Sequence, residues 1–189
     1  MTVFAVVGHR ARTDASWTLN DMPGGAGRMD VLCRAVNAAF FLSHDLRRDV
    51  ACYLVLRGEP GPGKTLRFTG DRLRYLNPDE RSTGSLIKKA LALPCGPEFR
   101  ESTPGVSVRE GGLARLLAEH EFALLDENGA DVRGAGQLPC AFLVSDHLNL
   151  DDDERVLTAD LPCISVGPRS LHADHAITVL LNELDRRQQ

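Results

Sequence analysis

The sequence has few aromatic residues and no long apolar segment, and both shortages limit the kind of protein that it can encode. Aromatic residues make up 5% of the 189 positions, and we interpret the one tryptophan, Trp17, as a packing residue. The apolar runs are shorter than the roughly 20 residues that a membrane-spanning helix needs. The first residues lack the charged and then apolar pattern of a secretory signal. We therefore expect a cytoplasmic protein with an ordinary hydrophobic core.

Cysteine and histidine patterns that form disulfides or bind metals are also missing. The five cysteines are widely spaced and form no C-x-x-C pair, so neither a disulfide framework nor a zinc cluster is predicted. His172 and His175 form an H-x-x-H pair, but the sequence offers no third ligand at a useful spacing. We predict no metal, and we interpret both histidines as partly exposed residues at a helix start.

Lysine is scarce, and the charge is unevenly distributed along the chain. Only three of the 22 basic residues are lysines, and the net charge is -4. Residues 1–90 contain 14 basic and 9 acidic residues, whereas residues 91–189 contain 8 and 17. A basic N-terminal half can present one face to a polyanion. Arginine binds phosphates through a planar fork and stacks on bases, although a proteome-wide bias towards arginine would give the same composition.

Apolar runs of strand length alternate with segments of helical periodicity along the whole chain. This alternation predicts one α/β domain, residues 1–189, with a largely parallel sheet. The predicted strands cover residues 4–8, 50–56, 65–69, 122–125, 140–144 and 163–166. The predicted helices cover residues 28–42, a segment capped by Ser82 or Thr83 that ends at residue 91, and residues 113–120, 151–157 and 173–187.

Residues 58–65, GEPGPGKT, match the phosphate-binding pattern G-x-x-x-x-G-K-[ST]. A functional phosphate loop presents consecutive backbone N–H groups and opens a helix. Pro60 and Pro62 each remove one of those donors, and the following TLRFTG alternates like a strand. We therefore interpret the segment as a turn between two strands and not as a nucleotide site.

Three loops that follow predicted strands in the C-terminal half form the candidate ligand site. They contain AFLVSDH (residues 141–147), CISVGPRSLHADH (residues 163–175) and the turn DENG (residues 126–129). Ligands of open α/β sheets bind beyond the carboxyl ends of strands, and Gly167 permits close approach of the backbone. Loops with few charged side chains suit an adenosine group that is recognised by backbone and apolar contacts.

Five long segments carry a resemblance to a known family. In order and spacing they resemble the archaeal tRNA pseudouridine-54 N1-methyltransferase family, which belongs to the SPOUT superfamily. The resemblance extends from about residue 21 to residue 187. The segments are DMPGGAGRMDVLCRAVNAAFFLSHDLRRDV, LNPDERSTGSLIKKAL, STPGVSVREGGL, FLVSDHLNL and ISVGPRSLHADHAITVLLNELD.

The resemblance implies a fold, a cofactor and an assembly. The fold would be a SPOUT-type α/β parallel sheet whose C-terminal segment, about residues 140–189, threads a trefoil knot. S-adenosylmethionine would bind in the knot of a homodimer, and the methyl group would go to N1 of pseudouridine 54 in the T loop of tRNA. Relatives often have cysteine at the position of Ala176, so only backbone or apolar contact is expected there. The implied cofactor contacts are Leu143, Gly167 and the stretch from Leu171 to Ala176.

The polar segment NPDERS, residues 77–82, is the candidate catalytic segment. Methylation at N1 requires that its proton be removed or its loss made easier. Asp79 is the candidate base, and Arg81 is the candidate group that stabilises negative charge on the uracil oxygens. A structural role for Asp79 in the first turn of the following helix is an alternative, and Asp45 is a second candidate base.

Arginines of the basic N-terminal half are the candidate RNA contacts, through phosphates or by stacking on a loop base. Two other functions stay open: methylation of a pseudouridine in ribosomal RNA, and RNA binding without catalysis. The stretches LNPDERS and SHDLRRD favour the tRNA enzyme. Binding of S-adenosylmethionine would distinguish an enzyme from a pure binder. The candidate arginines are Arg10, Arg28, Arg34, Arg47 and Arg48.

Overall fold

The computed structural model describes residues 1–187, which form one β-sheet flanked by helices. None of the helices in this range is long and apolar enough to cross a membrane. The strands are β1 (Thr2–Gly8), β2 (Val50–Leu56), β3 (Lys64–Thr69), β4 (Arg100–Thr103), β5 (Val106–Glu110), β6 (Phe122–Asp131), β7 (Ala141–Ser145) and β8 (Cys163–Ser165). The α-helices are α1 (Met29–Phe40), α2 (Glu80–Leu91), α3 (Leu113–Leu117), α4 (Asp152–Thr158) and α5 (Ala173–Arg187), and a 3-10 turn covers Val132–Gly134.

The sheet is mixed, with a parallel part and an antiparallel part. Its strand order is β4-β5-β3-β2-β1-β7-β6-β8. The strands from β2 to β8 in this order are parallel, as predicted. β3, β5 and β4 continue the sheet in antiparallel pairings. The β2–β3 hairpin follows from the sequence, whereas the prediction of a parallel sheet is wrong for β5 and β4. The cause is a β4–β5 hairpin around the turn at Gly105, whose φ is 79°, and whose short strands the sequence pattern does not predict.

Hydrophobic clusters cover both faces of the sheet. On one face Phe4 and Ile177 are fully buried between the sheet and the helices α1, α2 and α5. On the other face Val7 of β1 and Leu116 of α3 are fully buried in a second cluster. Trp17 is only 4% exposed, and its indole N–H donates to the backbone carbonyl of Asp14 at 2.8 Å. The predicted packing role of Trp17 is therefore confirmed.

The GEPGPGKT segment connects β2 to β3 as a hairpin, as predicted. The two strands are antiparallel, with Leu56 opposite Lys64. Lys64 is the first residue of β3, and the next helix begins only at Glu80. The segment therefore lacks the helix N-terminus on which a phosphate loop depends.

The predicted helices are present, and the differences lie at their ends. α2 begins at Glu80 because Asp79 caps it, accepting the Ser82 N–H at 2.7 Å. Asparagine and aspartate are strong N-caps, so the prediction of Ser82 or Thr83 as the cap is wrong. α3 ends at Leu117, earlier than predicted. α4 begins one residue later than predicted because Asp151 is the N-cap of a capping box.

The last helix is attached to the connection between β6 and β7. Arg187 donates hydrogen bonds to the backbone carbonyls of Val132 and Gly136, the latter at 3.0 Å. Arg133 forms an ion pair with Glu183 at 3.3 Å. The end of α5 thus lies against the segment that leads from β6 into β7.

Candidate active site

A cleft lies beyond the carboxyl ends of β6, β7 and β8, where a parallel sheet predicts a ligand. Its larger part, which we call the α4 pocket, has a volume of about 520 Å³ and extends to helix α4. Its smaller part, the α5 pocket, lies against the start of α5. The two parts meet at Leu125, Asp126 and Glu127, which line both. Small-molecule sites commonly measure about 300–1,000 Å³, so the cleft is large enough for one.

The segment at residues 126–129 forms the wall between the two pockets. β6 pairs with β8 on either side of this segment, which itself bulges out of the sheet. The Asn128 N–H donates to the Asp126 carboxylate at 2.9 Å and fixes the turn. A Cβ at Gly129 would lie 2.6 Å from the backbone nitrogen of Ile164, so only glycine fits there. The predicted DENG turn is present, as a bulge within β6.

The predicted cofactor residues divide between the cleft and the core. Gly167, Leu171 and Ala176 all line the α5 pocket. Leu143 lines neither pocket, because its side chain is fully buried within β7. Its neighbour Val144 does line the α5 pocket, so a ligand contact at Leu143 would have to use the backbone.

The lining of the cleft combines apolar side chains with charges of both signs. Such a lining fits a ligand that has an apolar ring system, hydroxyl groups and a zwitterionic end. Arg155 comes from α4, whose acid-rich sequence predicts only a solvated helix, so no sequence signal identified it. The apolar members include Leu125, Val144, Leu161, Val166, Leu171 and Ala176, and the charged members are Asp126, Glu127, Arg155 and Arg169.

A buried charge network lies beside the start of α4. The His9 ring contacts two carboxylates: Nδ1 lies 2.8 Å from Asp146, and Nε2 lies 2.7 Å from Glu154. The side chains of these acids are only 2% and 3% exposed. A protonated imidazole donates from both ring nitrogens, so this form satisfies both carboxylates at once. Arg57 completes the network through ion pairs with Glu154 and Asp151.

This network connects the sheet to a wall of the cleft. His9, Arg57 and Asp146 directly follow β1, β2 and β7, respectively, and Glu154 lies in the first turn of α4. The network therefore holds α4 in the position that closes the α4 pocket. Only their places directly after predicted strands distinguish His9 and Arg57 in the sequence, so neither was predicted as a site residue.

We expect the stability that His9 contributes to disappear as the pH rises. The hydrogen bond to Asp146 raises the pKa of His9, while burial opposes the shift and Glu154 adds to it. When the pKa of a histidine is higher in the folded protein, its contribution to stability is complete at pH values below its pKa in the unfolded chain, about 6.5. That contribution is lost as the pH rises through the pKa in the folded protein. Burial would raise the pKa of Asp146, but hydrogen bonds from His9 and the Leu148 N–H outweigh burial and lower it. The stability that Asp146 contributes is therefore lost only as the pH falls into the acid range.

The measurement is the free energy of unfolding of the wild type and a His9→Gln variant across a series of pH values. Near neutral pH the variant should be less stable by about 1–3 kcal/mol, because buried carboxylates lose a charged donor. The difference should shrink in alkaline buffer. His44→Gln, at an exposed histidine, is the control. A deficit that is the same at every pH would contradict a protonated His9.

Asp79 and Arg81 lie together in a second depression, of about 400 Å³, at the start of α2. We call it the α2 depression. Asp79 uses Oδ1 as the helix cap, and no partner for Oδ2 is found within residues 1–187. The Arg81 guanidinium donates to Asn20 Oδ1 at 2.8 Å and forms no ion pair in the described chain. The structural role of Asp79 is confirmed, and its role as a base stays a prediction.

The α2 depression and the cleft lie in different parts of one chain. α2 packs against α1 and the β4–β5 hairpin at one edge of the sheet, whereas the cleft lies at the edge formed by β6 and β8. With strands about 4.8 Å apart, the five strand spacings from β5 to β6 correspond to roughly 24 Å. Among the described residues, none lines both sites. A group bound in the cleft is thus distant from Asp79 of the same chain.

The second candidate base, Asp45, is weaker on its geometry. It is exposed, and hydrogen bonds from the Leu46 N–H and Arg48 lower the pKa of its carboxyl. A lowered pKa makes a carboxylate a poorer proton acceptor. Asp45 also lines neither the cleft nor the α2 depression.

Four of the five predicted RNA-binding arginines are ion-paired within the chain. Pairing with a carboxylate reduces the charge that an arginine offers to a phosphate. Arg10 is exposed, and no ion pair is found for it in the described residues, so it remains the strongest of the five. The pairs are Arg28–Asp30, Arg34–Asp30, Arg34–Glu80, Arg47–Asp185 and Arg48–Asp45.

Comparison with known proteins shows full-length similarity to archaeal methyltransferases. A family model described as "Putative SAM-dependent RNA methyltransferase" matches residues 1–189. The chain is 58% identical to the tRNA (pseudouridine(54)-N(1))-methyltransferase of Methanocorpusculum labreanum, covering 99% of this chain and 98% of that protein. Proteins of the same name from Methanospirillum hungatei and Haloferax volcanii are 53% and 45% identical, covering 100% and 98% of this chain and 98% and 96% of theirs.

A solved structure has the same fold. It is the crystal structure of Archaeoglobus fulgidus Nep1 bound to S-adenosylhomocysteine, similar with a TM-score of 0.65 over 100% of this chain and 99% of that one. At 13% identity the likeness shows the fold alone, and it agrees with the predicted α/β fold. Together with the family match, the full-length relatives show that the chain belongs to the S-adenosylmethionine-dependent RNA methyltransferases, in the branch of archaeal tRNA (pseudouridine(54)-N(1))-methyltransferases.

Proposed function

We propose that this protein methylates N1 of pseudouridine 54 in the T loop of tRNA. The observation that carries the proposal is full-length identity of 45–58% to archaeal proteins named for this reaction. Pseudouridine is attached to its sugar through carbon and keeps a free N1–H, whereas N1 of uridine lies in the glycosidic bond. The substrate must therefore already contain pseudouridine.

The cleft beyond β6, β7 and β8 has a lining that fits S-adenosylmethionine. When bound, this cofactor would supply the methyl group from its sulfonium, and the neutral thioether S-adenosylhomocysteine would leave. Leu171 and Ala176 would contact its adenine ring, since both are apolar and line the α5 pocket. The carboxylates of Asp126 and Glu127 would accept hydrogen bonds from its hydroxyl or ammonium groups. Ala176 has no thiol, so a cofactor contact there would be made by backbone or apolar groups only.

Replacing Gly167 by valine should weaken binding of S-adenosylhomocysteine by about 10- to 100-fold, because the new side chain occupies space in the α5 pocket. A Cβ at Gly167 meets no atom within 4 Å, so the protein without ligand should keep its melting temperature. Isothermal titration calorimetry measures the binding. The control is Gly96→Val, since a Cβ at that remote glycine also meets nothing within 4 Å. Unchanged binding by the Gly167 variant would place the cofactor elsewhere.

The residues of the α2 depression would act on the uracil ring. Asp79 Oδ2, which is not used in capping, would accept the N1 proton. Arg81, whose guanidinium is held by Asn20 and neutralised by no carboxylate in the described chain, would stabilise negative charge on the ring oxygens. Both residues are exposed, so the RNA itself would have to exclude water from them.

A homodimer would bring the two sites together. Methyl transfer requires the reacting atoms to be about 3–3.5 Å apart, but one chain separates its cleft from its α2 depression. We infer that the cleft of one protomer faces the α2 depression of its partner. In a two-fold dimer this arrangement gives two composite sites.

Mixing two inactive variants should restore activity if the sites are composite. Gly167→Val leaves the cofactor site largely empty when the cofactor concentration is kept well below the Kd of this variant, and Asp79→Asn removes the base. Half of the randomly mixed dimers would carry one intact composite site, which gives about a quarter of wild-type activity. The experiment measures methyl transfer after the two variants are co-expressed with different tags. Activity no higher than that of the separate variants would contradict the composite site.

We also propose that the C-terminal segment threads a trefoil knot. The support is the contact of Arg187 and Glu183 with residues 132–136, which places the end of α5 against the β6–β7 connection. A crystal structure in which α5 passes outside this connection would contradict the knot.

The choice of RNA can be tested with radioactive methyl transfer. The protein is incubated with labelled S-adenosylmethionine and either tRNA containing pseudouridine 54 or a ribosomal RNA fragment containing pseudouridine. We expect incorporation into the tRNA only. Incorporation into the ribosomal fragment alone would favour the ribosomal alternative. No incorporation into either, despite cofactor binding, would overturn the proposed reaction.

A further inference from the structure

Tyr75 is an exposed aromatic residue on a fixed loop. Tyr75 is 70% exposed, whereas Leu73 before it and Leu76 after it are only 2% and 7% exposed. These two leucines anchor the loop in the core. The Tyr75 carbonyl also accepts a hydrogen bond from Ser82 Oγ at 3.3 Å. The ring is therefore displayed to solvent by a segment that is itself well anchored.

The backbone at Tyr75 is strained. Its φ is 64°, in the left-handed region, and only one other non-glycine residue within residues 1–187 has a positive φ. Large side chains rarely adopt this conformation, which costs of the order of 1 kcal/mol or more. Asparagine or glycine would be more stable here, so packing and backbone preference do not account for a tyrosine. A contact made by the ring with a ligand would account for it.

The surroundings of the ring carry uncompensated positive charge. Tyr75 lines the α2 depression together with Arg81 and Lys89. Neither cation forms an ion pair in the described chain, and Asp79 is the only acid that lines this depression. By contrast, most arginines of the N-terminal half are paired with carboxylates, as described above. An aromatic face beside free cations is the combination that binds single-stranded nucleic acid, since bases stack on the ring and phosphates bind the cations.

We infer that the Tyr75 ring stacks on an unpaired base of the T loop, and that Lys89 contacts the flanking RNA. This inference rests on the proposed function, because it takes the loop of the tRNA as the ligand of the α2 depression. It adds a binding role for Tyr75 that is separate from chemistry at Asp79. A base held on Tyr75 lies next to the candidate base and the candidate charge stabiliser, which both line the same depression.

The test compares Tyr75→Asn and Tyr75→Phe in binding to a T-arm stem-loop RNA, by fluorescence anisotropy. Asparagine tolerates a positive φ, so the Asn variant should fold with an unchanged or raised melting temperature. It should bind the RNA about 10- to 100-fold more weakly, because base stacking on an aromatic residue is lost. The Phe variant keeps the ring and should bind within about twofold of the wild type. Leu42→Ala, at another exposed apolar residue, is the control and should bind normally.

Salt and assembly measurements separate the possible outcomes. Lys89→Ala should reduce the dependence of the RNA affinity on salt by about one counterion, while Tyr75→Asn should leave it unchanged. If the wild type methylates the RNA and the Tyr75→Asn variant binds it as tightly as the wild type does, the inference is wrong and the proposed function is intact. Wild type that neither binds nor methylates it would overturn both. If the Asn variant instead loses its dimer in sedimentation, the ring contacts a second copy of the chain and the inference is wrong.

Discussion

Asp79→Asn should lower the rate of methyl transfer by about 100- to 10,000-fold, because an amide cannot accept the N1 proton. The substitution tests the base without removing the helix cap, since asparagine and aspartate cap helices about equally well. The melting temperature should therefore stay close to that of the wild type. Single-turnover kinetics with pseudouridine-containing tRNA measures the rate of the chemical step.

A second substitution at the same position checks the structural alternative. Asp79→Ala removes both the base and the cap, so it should slow the reaction and also destabilise α2 by about 1 kcal/mol. If Asp79→Asn retains full activity while Asp79→Ala loses it, the role of Asp79 is that of a cap alone. The proton would then have another acceptor, either another side chain or water.

Arg81→Ala should lower the rate constant of methyl transfer by about 100- to 1,000-fold, because a preorganised donor to the uracil oxygens is lost. The side chain is exposed and bonded only to Asn20 in the described chain, so its removal should cost little stability. Cofactor binding should be unchanged, since Arg81 lies outside the cleft. The measurement combines single-turnover kinetics with calorimetric titration of S-adenosylhomocysteine.

Arg72→Ala is the matched control for Arg81. Arg72 is an exposed arginine of the same region, but it is paired with Glu101 at 2.9 Å and does not line the α2 depression. Its variant should react at the wild-type rate. Equal losses at both positions would mean that Arg81 supplies general positive charge for RNA binding and does not act on the reacting base.

The parallel part of the fold was predictable because its strands are continuous apolar runs. VACYLVL in β2 and AFLVS in β7 are buried over nearly their whole length, which is the pattern of central parallel strands. REST in β4 carries no such signal, because its residues are exposed or only partly buried. The β4–β5 hairpin depends on a turn at Gly105 and on the pairing of β5 with β3. Pairing between segments that are distant in the chain leaves little trace in the local sequence pattern.

The candidate site was predictable only where it follows directly from strand ends. The bulge at residues 126–129 of β6 and the loops after β7 and β8 meet because they lie at the same edge of the parallel part of the sheet. The His9 network joins residues more than a hundred positions apart in the chain, and no spacing rule connects them. Tyr75 was missed for a different reason, since a positive φ at a tyrosine contradicts its preference and cannot be inferred from residue type.

The central claim is tested most directly by nucleoside mass spectrometry of two tRNAs that differ only at position 54. One carries pseudouridine and the other uridine, and each is incubated with the protein and S-adenosylmethionine. We predict one methyl group per molecule on the pseudouridine tRNA, located at N1, and none on the uridine tRNA. Methylation of the uridine tRNA, or methylation of the pseudouridine at another atom, would contradict the account.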